Sequence, residues 1–90
     1  MAYVRATPEE LERFAQSLTH FNQQLSESMS RLDGEFRRLS DTWLDQDHQR
    51  FAAEYEQTIR ALGHFQRAAE EQIPFLRRKA QRLRDYQSQR

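Results

Sequence analysis

One short acidic stretch decides the fold: Asp41-Thr42-Trp43-Leu44-Asp45-Gln46-Asp47. It separates two long runs of sequence in which apolar side chains recur every three or four positions, the spacing of one face of an α-helix. Asp45 and Asp47 both suit the N-cap of a second helix, because a carboxylate accepts hydrogen bonds from the free N–H groups there and complements the helix dipole. The pattern predicts a turn at residues 43–47 with a long helix on either side.

The run before the turn opens with a strong helix-start signal. Thr7 can cap a helix with its hydroxyl, Pro8 suits the first helical position, and Glu10 stands three residues after Thr7, as in a capping box. These residues predict a helix from about residue 8 to 42. Its apolar stripe comprises Leu11, Phe14, Leu18, Phe21, Leu25, Met29, Leu32, Phe36, Leu39 and Trp43.

The run after the turn predicts a second helix from about residue 47 to 87. Its apolar stripe comprises Phe51, Tyr55, Ile59, Leu62, Phe65, Ala69, Ile73, Leu76, Ala80 and Leu83. Pro74 lacks a backbone N–H and clashes with the preceding turn, so we expect a kink near it. The stripe stays in phase beyond Pro74, which favours one helix over two.

Composition agrees with a single all-α domain spanning residues 1–90. The chain has 90 residues with only two glycines and two prolines, far fewer turn residues than a sheet-rich fold of this size needs. The fold predicted is an antiparallel two-helix hairpin. Such a thin rod has a poor core, so we expect the two stripes to serve both as core and as a dimer contact, pairing two hairpins into a four-helix bundle.

Four features resemble the WXG family: the capped start Thr7 to Leu11, Trp43 at the turn, the aromatic Phe51 eight residues later, and a length near 90 residues. The resemblance covers essentially the whole chain. It implies a hairpin that pairs with itself or with a related hairpin, and that is a substrate of a type VII secretion system, in some members as a carrier for a larger effector. It also implies a turn motif of Trp43, Asp45 and Phe51, with Asp45 replacing the usual glycine in a left-handed conformation.

The export signal of that family is a tyrosine followed four residues later by an acidic residue. Here Tyr86 is followed at that spacing by Arg90, and Tyr55 by Ile59. Two interpretations stay open: a partner supplies the signal, or the chain is not exported by this route. Because the N-terminus lacks the features of a cleaved signal peptide and no apolar run could span a bilayer, we expect either signal-peptide-independent secretion or a cytoplasmic location.

Nothing in the sequence predicts catalysis, a cofactor or a metal site. There is no cysteine, and His20, His48 and His64 lie far apart. Asp45 stands three residues before His48, but an acidic N-cap beside a first-turn histidine explains that pair. No serine has a triad context and no glycine-rich loop could hold a phosphate, so we predict a non-enzymatic interaction protein.

Charge is unevenly distributed although the formal net charge is zero. Residues 76–90 carry six cations and one anion, and residues 41–60 carry five anions and two cations. The candidate anion-binding residues are Arg77, Arg78, Lys79, Arg82 and Arg84. These cations could bind lipid headgroups or phosphates, complement the helix dipole, or meet the acidic turn of a second protomer. Nucleic acid is not the expected partner.

Two roles for Trp43 and three for the protein therefore remain open. Trp43 either covers the turn or docks its exposed edge into a partner. The protein is a secreted or carrier WXG-type protein, an intracellular helical adaptor or assembly subunit, or, as the least favoured alternative, a protein that binds anionic surfaces or nucleic acid through its basic C-terminal helix.

Overall fold

The computed structural model describes residues 5–89. They form two helices, α1 at Pro8–Thr42 and α2 at Gln46–Ser88, which lie side by side and antiparallel. No strand occurs among these residues. The Cα atoms occupy a rod of 69 × 26 × 15 Å, which consists of a single layer of two helices. The predicted all-α hairpin is confirmed, and its pairing into a bundle remains a prediction.

The start of α1 is capped by the residues that the sequence indicates. Thr7 has extended backbone angles, φ −88° and ψ 158°, and its hydroxyl accepts a hydrogen bond of 3.1 Å from the backbone N–H of Glu10. The same hydroxyl donates to the Glu10 carboxylate at 3.2 Å. Pro8 occupies the first helical position, where a missing N–H has no cost.

The turn comprises Trp43, Leu44 and Asp45, and is shorter than the predicted range of residues 43–47. Trp43 ends α1 by donating its backbone N–H to the Leu39 carbonyl at 2.8 Å. Asp45 begins α2 as its N-cap, with its carboxylate accepting from the His48 backbone N–H at 3.2 Å.

The left-handed conformation expected of Asp45 is wrong. Its backbone is extended, with φ −91° and ψ 179°, and no residue of the described part of the chain has a positive φ. Trp43 is also extended, with φ −96° and ψ 100°. Extended residues at both ends of the turn reverse the chain without left-handed geometry, so a residue with a Cβ causes no strain here.

Helix α2 continues as an α-helix through Pro74 to Ser88. The kink expected near Pro74 stays a prediction.

The apolar side chains that the hairpin buries completely are small. The buried apolar core consists of Ala15, Ala69 and Ala80, together with Pro8 at the end of α1. No leucine, isoleucine, phenylalanine, methionine, tryptophan or tyrosine of residues 5–89 is fully buried. Alanines let the two backbones approach closely, but the hairpin leaves its large apolar side chains partly in water.

Candidate interaction surface

Six large apolar side chains form an exposed surface along the rod, which we call the apolar face: Phe14, Phe21, Leu32, Leu39, Phe51 and Phe65. Their exposed fractions lie between 42% for Phe51 and 59% for Phe14. The four on α1 stand at spacings of seven and eleven residues, which return to one side of a helix. The edge-to-face contact of Phe21 with Phe65, at 5.7 Å between ring centroids, places the α2 residues on the same side.

Two apolar grooves interrupt this face. One, of about 340 Å³, is lined by Phe14, Ser17, Leu18, Phe21 and Phe65. The other, of about 240 Å³ and closer to the turn, is lined by Leu32, Glu35, Phe36, Leu39, Phe51 and Tyr55. Both are open and shallow, which suits side chains of a protein partner better than an enclosed small molecule.

An aromatic cluster supports the turn. Trp43 contacts the His48 ring edge-on at 5.3 Å and the Phe51 ring at 5.7 Å. Phe36 stacks on His48 at 5.6 Å and contacts Tyr55 at 4.5 Å. Trp43 and Phe51 of the predicted turn motif are therefore in contact, and Asp45 acts through the helix cap instead.

His48 also forms a polar contact that its sequence position did not suggest. Its Nε2 atom lies 2.8 Å from the hydroxyl oxygen of Ser40, across the turn. No carboxylate of residues 5–89 hydrogen-bonds its other ring nitrogen, so these two residues lack the third member of a hydrolytic triad. The contact orients the ring between Phe36 and Trp43.

A buried polar connection joins the middles of the two helices. Asn22, only 8% exposed, donates from Nδ2 to the backbone carbonyl of Gln66 at 3.0 Å. Gln66 returns Nε2 hydrogen bonds to the Asn22 carbonyl at 3.4 Å and to the Ser26 hydroxyl at 2.8 Å. The sequence pattern does not predict this connection. The available signal was a lone asparagine seven residues after Ala15, at a position that otherwise carries apolar residues.

Tyr55 lies in the aromatic cluster beside the turn, in contact with Phe36 and Phe51. Its hydroxyl is buried and has no hydrogen-bond partner among residues 5–89. Burial raises the pKa of Tyr55, and the negative charge of Asp33 raises it further, while Arg37 opposes both effects. The hydroxyl is therefore neutral at physiological pH.

The open end of the hairpin is closed by an ion pair. Arg84 donates from both guanidinium nitrogens to both carboxylate oxygens of Glu12, and lies 3.6 Å from the carboxylate of Glu9. These hydrogen bonds are the main reason why the pKa of Glu12 lies below its ordinary value, and the charge of Arg77 adds to the effect. Of the five candidate anion-binding residues, Arg84 is thus committed to an internal partner.

The other candidate cations project from α2. Arg77, Arg78 and Arg82 are exposed and Lys79 is half-exposed. None of these four forms an ion pair within residues 5–89. Two exposed aromatic side chains, Phe75 and Tyr86, flank them in sequence.

Two histidines remain as candidates for chemistry, His20 and His64. His64 lies 3.3 Å from the guanidinium of Arg67, within its own helix. In the described part of the chain no three histidine, cysteine or acidic side chains are grouped so as to hold a metal ion. Over the same residues, neither helix contains a stretch that is long and apolar enough to cross a membrane.

Comparison with known proteins identifies the family. Residues 4–88 match WXG100, described as proteins of 100 residues with WXG. Among solved structures, a secreted protein EsxB from Bacillus anthracis strain Sterne is similar in its wild-type form, with 28% identity and a TM-score of 0.79 over 94% of this chain and 91% of that one.

Two further crystal structures of that secreted protein are also similar. A mutant with one glycine replaced by alanine shares 29% identity with a TM-score of 0.76 over 94% of this chain and 98% of its own. The selenomethionine-labelled protein shares 28% identity with a TM-score of 0.78 over 97% and 99%. No curated protein sequence matches significantly. The extent of the family match shows that this chain belongs to the WXG100 family.

Proposed function

We propose that this chain is a non-enzymatic interaction protein that acts as a dimer of helical hairpins and is exported by a type VII-like secretion system. One observation carries the proposal: among residues 5–89 the hairpin fully buries only alanines and a proline as its apolar core, and it leaves six large apolar side chains on one face. Contiguous exposed apolar surface of this kind marks a site of protein–protein contact. Its partner is a second copy or a related hairpin.

The dimensions of the rod support a partner of the same shape. The broad side measures 69 by 26 Å, large enough for the roughly 800 Å² that each partner buries in a standard interface. A second hairpin laid on this side would cover the apolar face along its whole length and form a four-helix bundle. The six apolar side chains would then lie in a shared core.

Export rests on the likeness to the B. anthracis protein, which is described as secreted. The sequence adds a condition, since Arg90 stands four residues after Tyr86, where the family signal has an acidic residue. We therefore expect export to depend on a different protein that carries the signal, either a related hairpin or a larger effector. The same observation favours the second candidate, an intracellular adaptor or assembly subunit, in which no export occurs.

Variants on and off the apolar face test the dimer. Phe14→Ser removes an aromatic ring that is 59% exposed, and should lower the dimer fraction in light scattering at micromolar concentration. Phe75→Ser is the matched control, because Phe75 is 55% exposed but lies ten residues after Phe65, roughly 80° further round α2. If the unmodified chain stays a stable, folded monomer, both alone and when mixed with its native partners, the proposal is contradicted.

Export is tested in the native host. The tagged chain should accumulate in the culture medium, and deletion of the secretion ATPase should retain it in the cells, with a cytoplasmic enzyme as the lysis control. Retention in both strains would favour the adaptor, particularly if affinity capture recovers the chain in a cytoplasmic assembly.

A further inference from the structure

Five side chains near the C-terminal end of α2 form a line along its outer side, which we call the basic stripe: Phe75, Arg78, Lys79, Arg82 and Tyr86. The last four follow Phe75 by three, four, seven and eleven residues, which brings all five within roughly 100° of one another around the helix. Phe75 and Tyr86 stand at the two ends, roughly 16 Å apart at 1.5 Å per residue. Three cations therefore lie between two aromatic rings on one side of one helix.

The basic stripe faces away from α1. Ala80, which is fully buried, lies five residues after Phe75 and two before Arg82, so it points roughly 140–160° away from both. Phe75 is 55% and Tyr86 67% exposed, and the three cations are exposed or half-exposed. Phe65 of the apolar face lies roughly 80° from Phe75 around α2. The stripe is thus a convex ridge outside the apolar face.

The positive charge of the basic stripe has no partner in the described part of the chain. None of its three cations forms an ion pair there. Residues 72–84 contain no acidic side chain, and Glu71 and Asp85 lie just beyond the two ends of this segment. Across the hairpin, Glu12 pairs with Arg84, which is not part of the stripe. The cations of the stripe are therefore available to an external anion.

The shape of the basic stripe favours a flat partner. Single-stranded nucleic acid binds in a groove that follows its backbone, and a convex ridge has no such walls. A bilayer surface can touch a straight ridge along its whole length. Lysine and arginine are attracted to an anionic leaflet, and aromatic rings favour the boundary between headgroups and acyl chains. Cations and rings on one ridge match both layers of such a surface.

We propose that the basic stripe binds the surface of a bilayer rich in anionic phospholipid. The cations Arg78, Lys79 and Arg82 contact headgroup phosphates, and the rings of Phe75 and Tyr86 enter the headgroup layer. The outer side of α2 lies in the plane of the surface. This activity goes beyond the proposed function and does not depend on pairing through the apolar face.

Sedimentation of the full chain with vesicles tests the proposal. The chain should sediment with vesicles of phosphatidylglycerol mixed with phosphatidylcholine, and stay in solution with pure phosphatidylcholine. Salt at about 0.5 M should release it, because the attraction between charges is then screened within a few ångströms. Failure to sediment with the anionic vesicles, or equal sedimentation with both kinds, would overturn the proposal.

A pair of charge variants tests whether the stripe itself makes the contact. Arg82→Gln should lower the vesicle partition coefficient roughly fivefold, the contribution of one cation at an anionic surface. Arg77→Gln is the matched control, because Arg77 is also exposed and forms no ion pair among residues 5–89, but lies roughly 140° from Arg82 around the helix. It should change binding less than about twofold, since screening confines the attraction to about 8–10 Å. Equal losses would assign binding to total charge and overturn the stripe.

Fluorescence tests the position of the rings. The chain has one tryptophan, so Tyr86→Trp in a Trp43→Phe background places its single indole in the stripe. Its emission should shift to shorter wavelength when anionic vesicles are added. Gln81→Trp in the same background is the control, because residue 81 is exposed roughly 140° from residue 86 around α2, and its emission should stay unchanged. No shift at residue 86, or an equal shift at residue 81, would overturn the proposed orientation.

Other partners of the basic stripe are separate outcomes of the same experiments. A single-stranded oligonucleotide or an acidic peptide that binds at physiological salt, when anionic vesicles do not, would overturn the proposal. A chain that dimerises and is exported but does not bind anionic vesicles would lose this inference alone. A chain that binds such vesicles through the stripe but never pairs would lose the proposed dimer and keep this inference.

Discussion

The guanidinium group of Arg84 holds both carboxylate oxygens of Glu12, at 2.5 and 2.8 Å, although 72 positions separate the two residues. The pair joins the last turns of α2 to the first turns of α1, at the end of the rod opposite the covalent turn. Paired N–H donors that match both carboxylate oxygens fix geometry as well as charge. The hairpin is therefore fastened at both ends, by the chain at one and by this ion pair at the other.

Glu12→Gln should make the stability of the hairpin less dependent on acid pH. Arg84 holds the pKa of Glu12 below its ordinary value in the folded state, so the ion pair stabilises the fold above the unfolded pKa and is lost as pH falls through the folded pKa. We expect wild type to melt higher than Glu12→Gln at pH 7, the difference to shrink as pH falls below the ordinary glutamate pKa of about 4.3, and the two to converge below the lowered pKa of the folded state. Thermal denaturation at fixed protein concentration measures this.

Asp33→Asn is the control for that experiment. Asp33 forms an ion pair with Arg37 at 3.0 Å. Both residues lie in one turn of the same helix and Arg37 is exposed, so loss of this ion pair should change stability little. Equal melting of wild type and Glu12→Gln at pH 7 would show that the open end does not depend on the ion pair.

Asp45→Gly should destabilise the protein slightly. In a left-handed turn glycine would relieve strain, but Asp45 is extended and its carboxylate caps α2. We therefore expect Asp45→Ala to cost about 1 kcal/mol and Asp45→Gly only about a few tenths of a kcal/mol, by urea denaturation. A gain in stability with glycine would mean that the turn needs a positive φ in solution.

Features that depend on neighbouring residues were predictable from the sequence. The cap at Thr7 and the helix start at Asp45 follow from side chains that reach backbone atoms three residues on. The hairpin follows from two stripes in phase with helical periodicity. The shape of the turn did not follow, because aspartate tolerates both extended and left-handed backbone.

Contacts between the helices were not predictable, because they depend on how far one helix slides along the other. Ser40 with His48, Asn22 with Gln66, and the Arg84 ion pair all require this offset. Helical periodicity identifies the apolar side of each helix. That side is more than one residue column wide, so the periodicity does not show which column faces the second helix. In the structure the fully buried positions between the helices hold alanines, while Phe36 contacts Tyr55 near the turn and other large apolar residues lie at the edge.

Trp43→Ala should loosen the turn. Trp43 is half-buried and contacts His48 and Phe51, so we expect a loss of about 2 kcal/mol, less than truncation of a fully buried tryptophan costs. Trp43→Phe, which keeps an aromatic ring, should lose less than half as much. Unfolding followed by circular dichroism compares the variants, and an unchanged midpoint for Trp43→Ala would assign the indole to partner binding instead of the turn.

Gln66→Ala should weaken the middle of the hairpin. It removes hydrogen bonds to Ser26 and to the Asn22 carbonyl, which we expect to cost about 1 kcal/mol. Gln72→Ala is the matched control, because Gln72 is exposed on the same helix and its side chain forms no hydrogen bond to any residue from 5 to 89. Both variants replace glutamine by alanine in the same helix, so helix propensity changes equally. The difference between their melting temperatures therefore measures the contribution of the Gln66 hydrogen bonds to stability. Identical melting curves would show that it adds nothing to stability.

Gly34→Ala should stabilise the hairpin without affecting its association. Apart from the nearby backbone of its own helix, a Cβ at Gly34 meets no atom of residues 5–89 within 4 Å, and the backbone there has no positive φ. Alanine favours a helix interior over glycine by about 1 kcal/mol, which should raise the melting temperature by roughly 4–8 °C in a chain of this size. Gly34 lies two residues after Leu32, turned roughly 160° away from the apolar face. The dimer fraction should therefore stay unchanged, and a fall in dimer fraction would place the partner on the opposite side of α1.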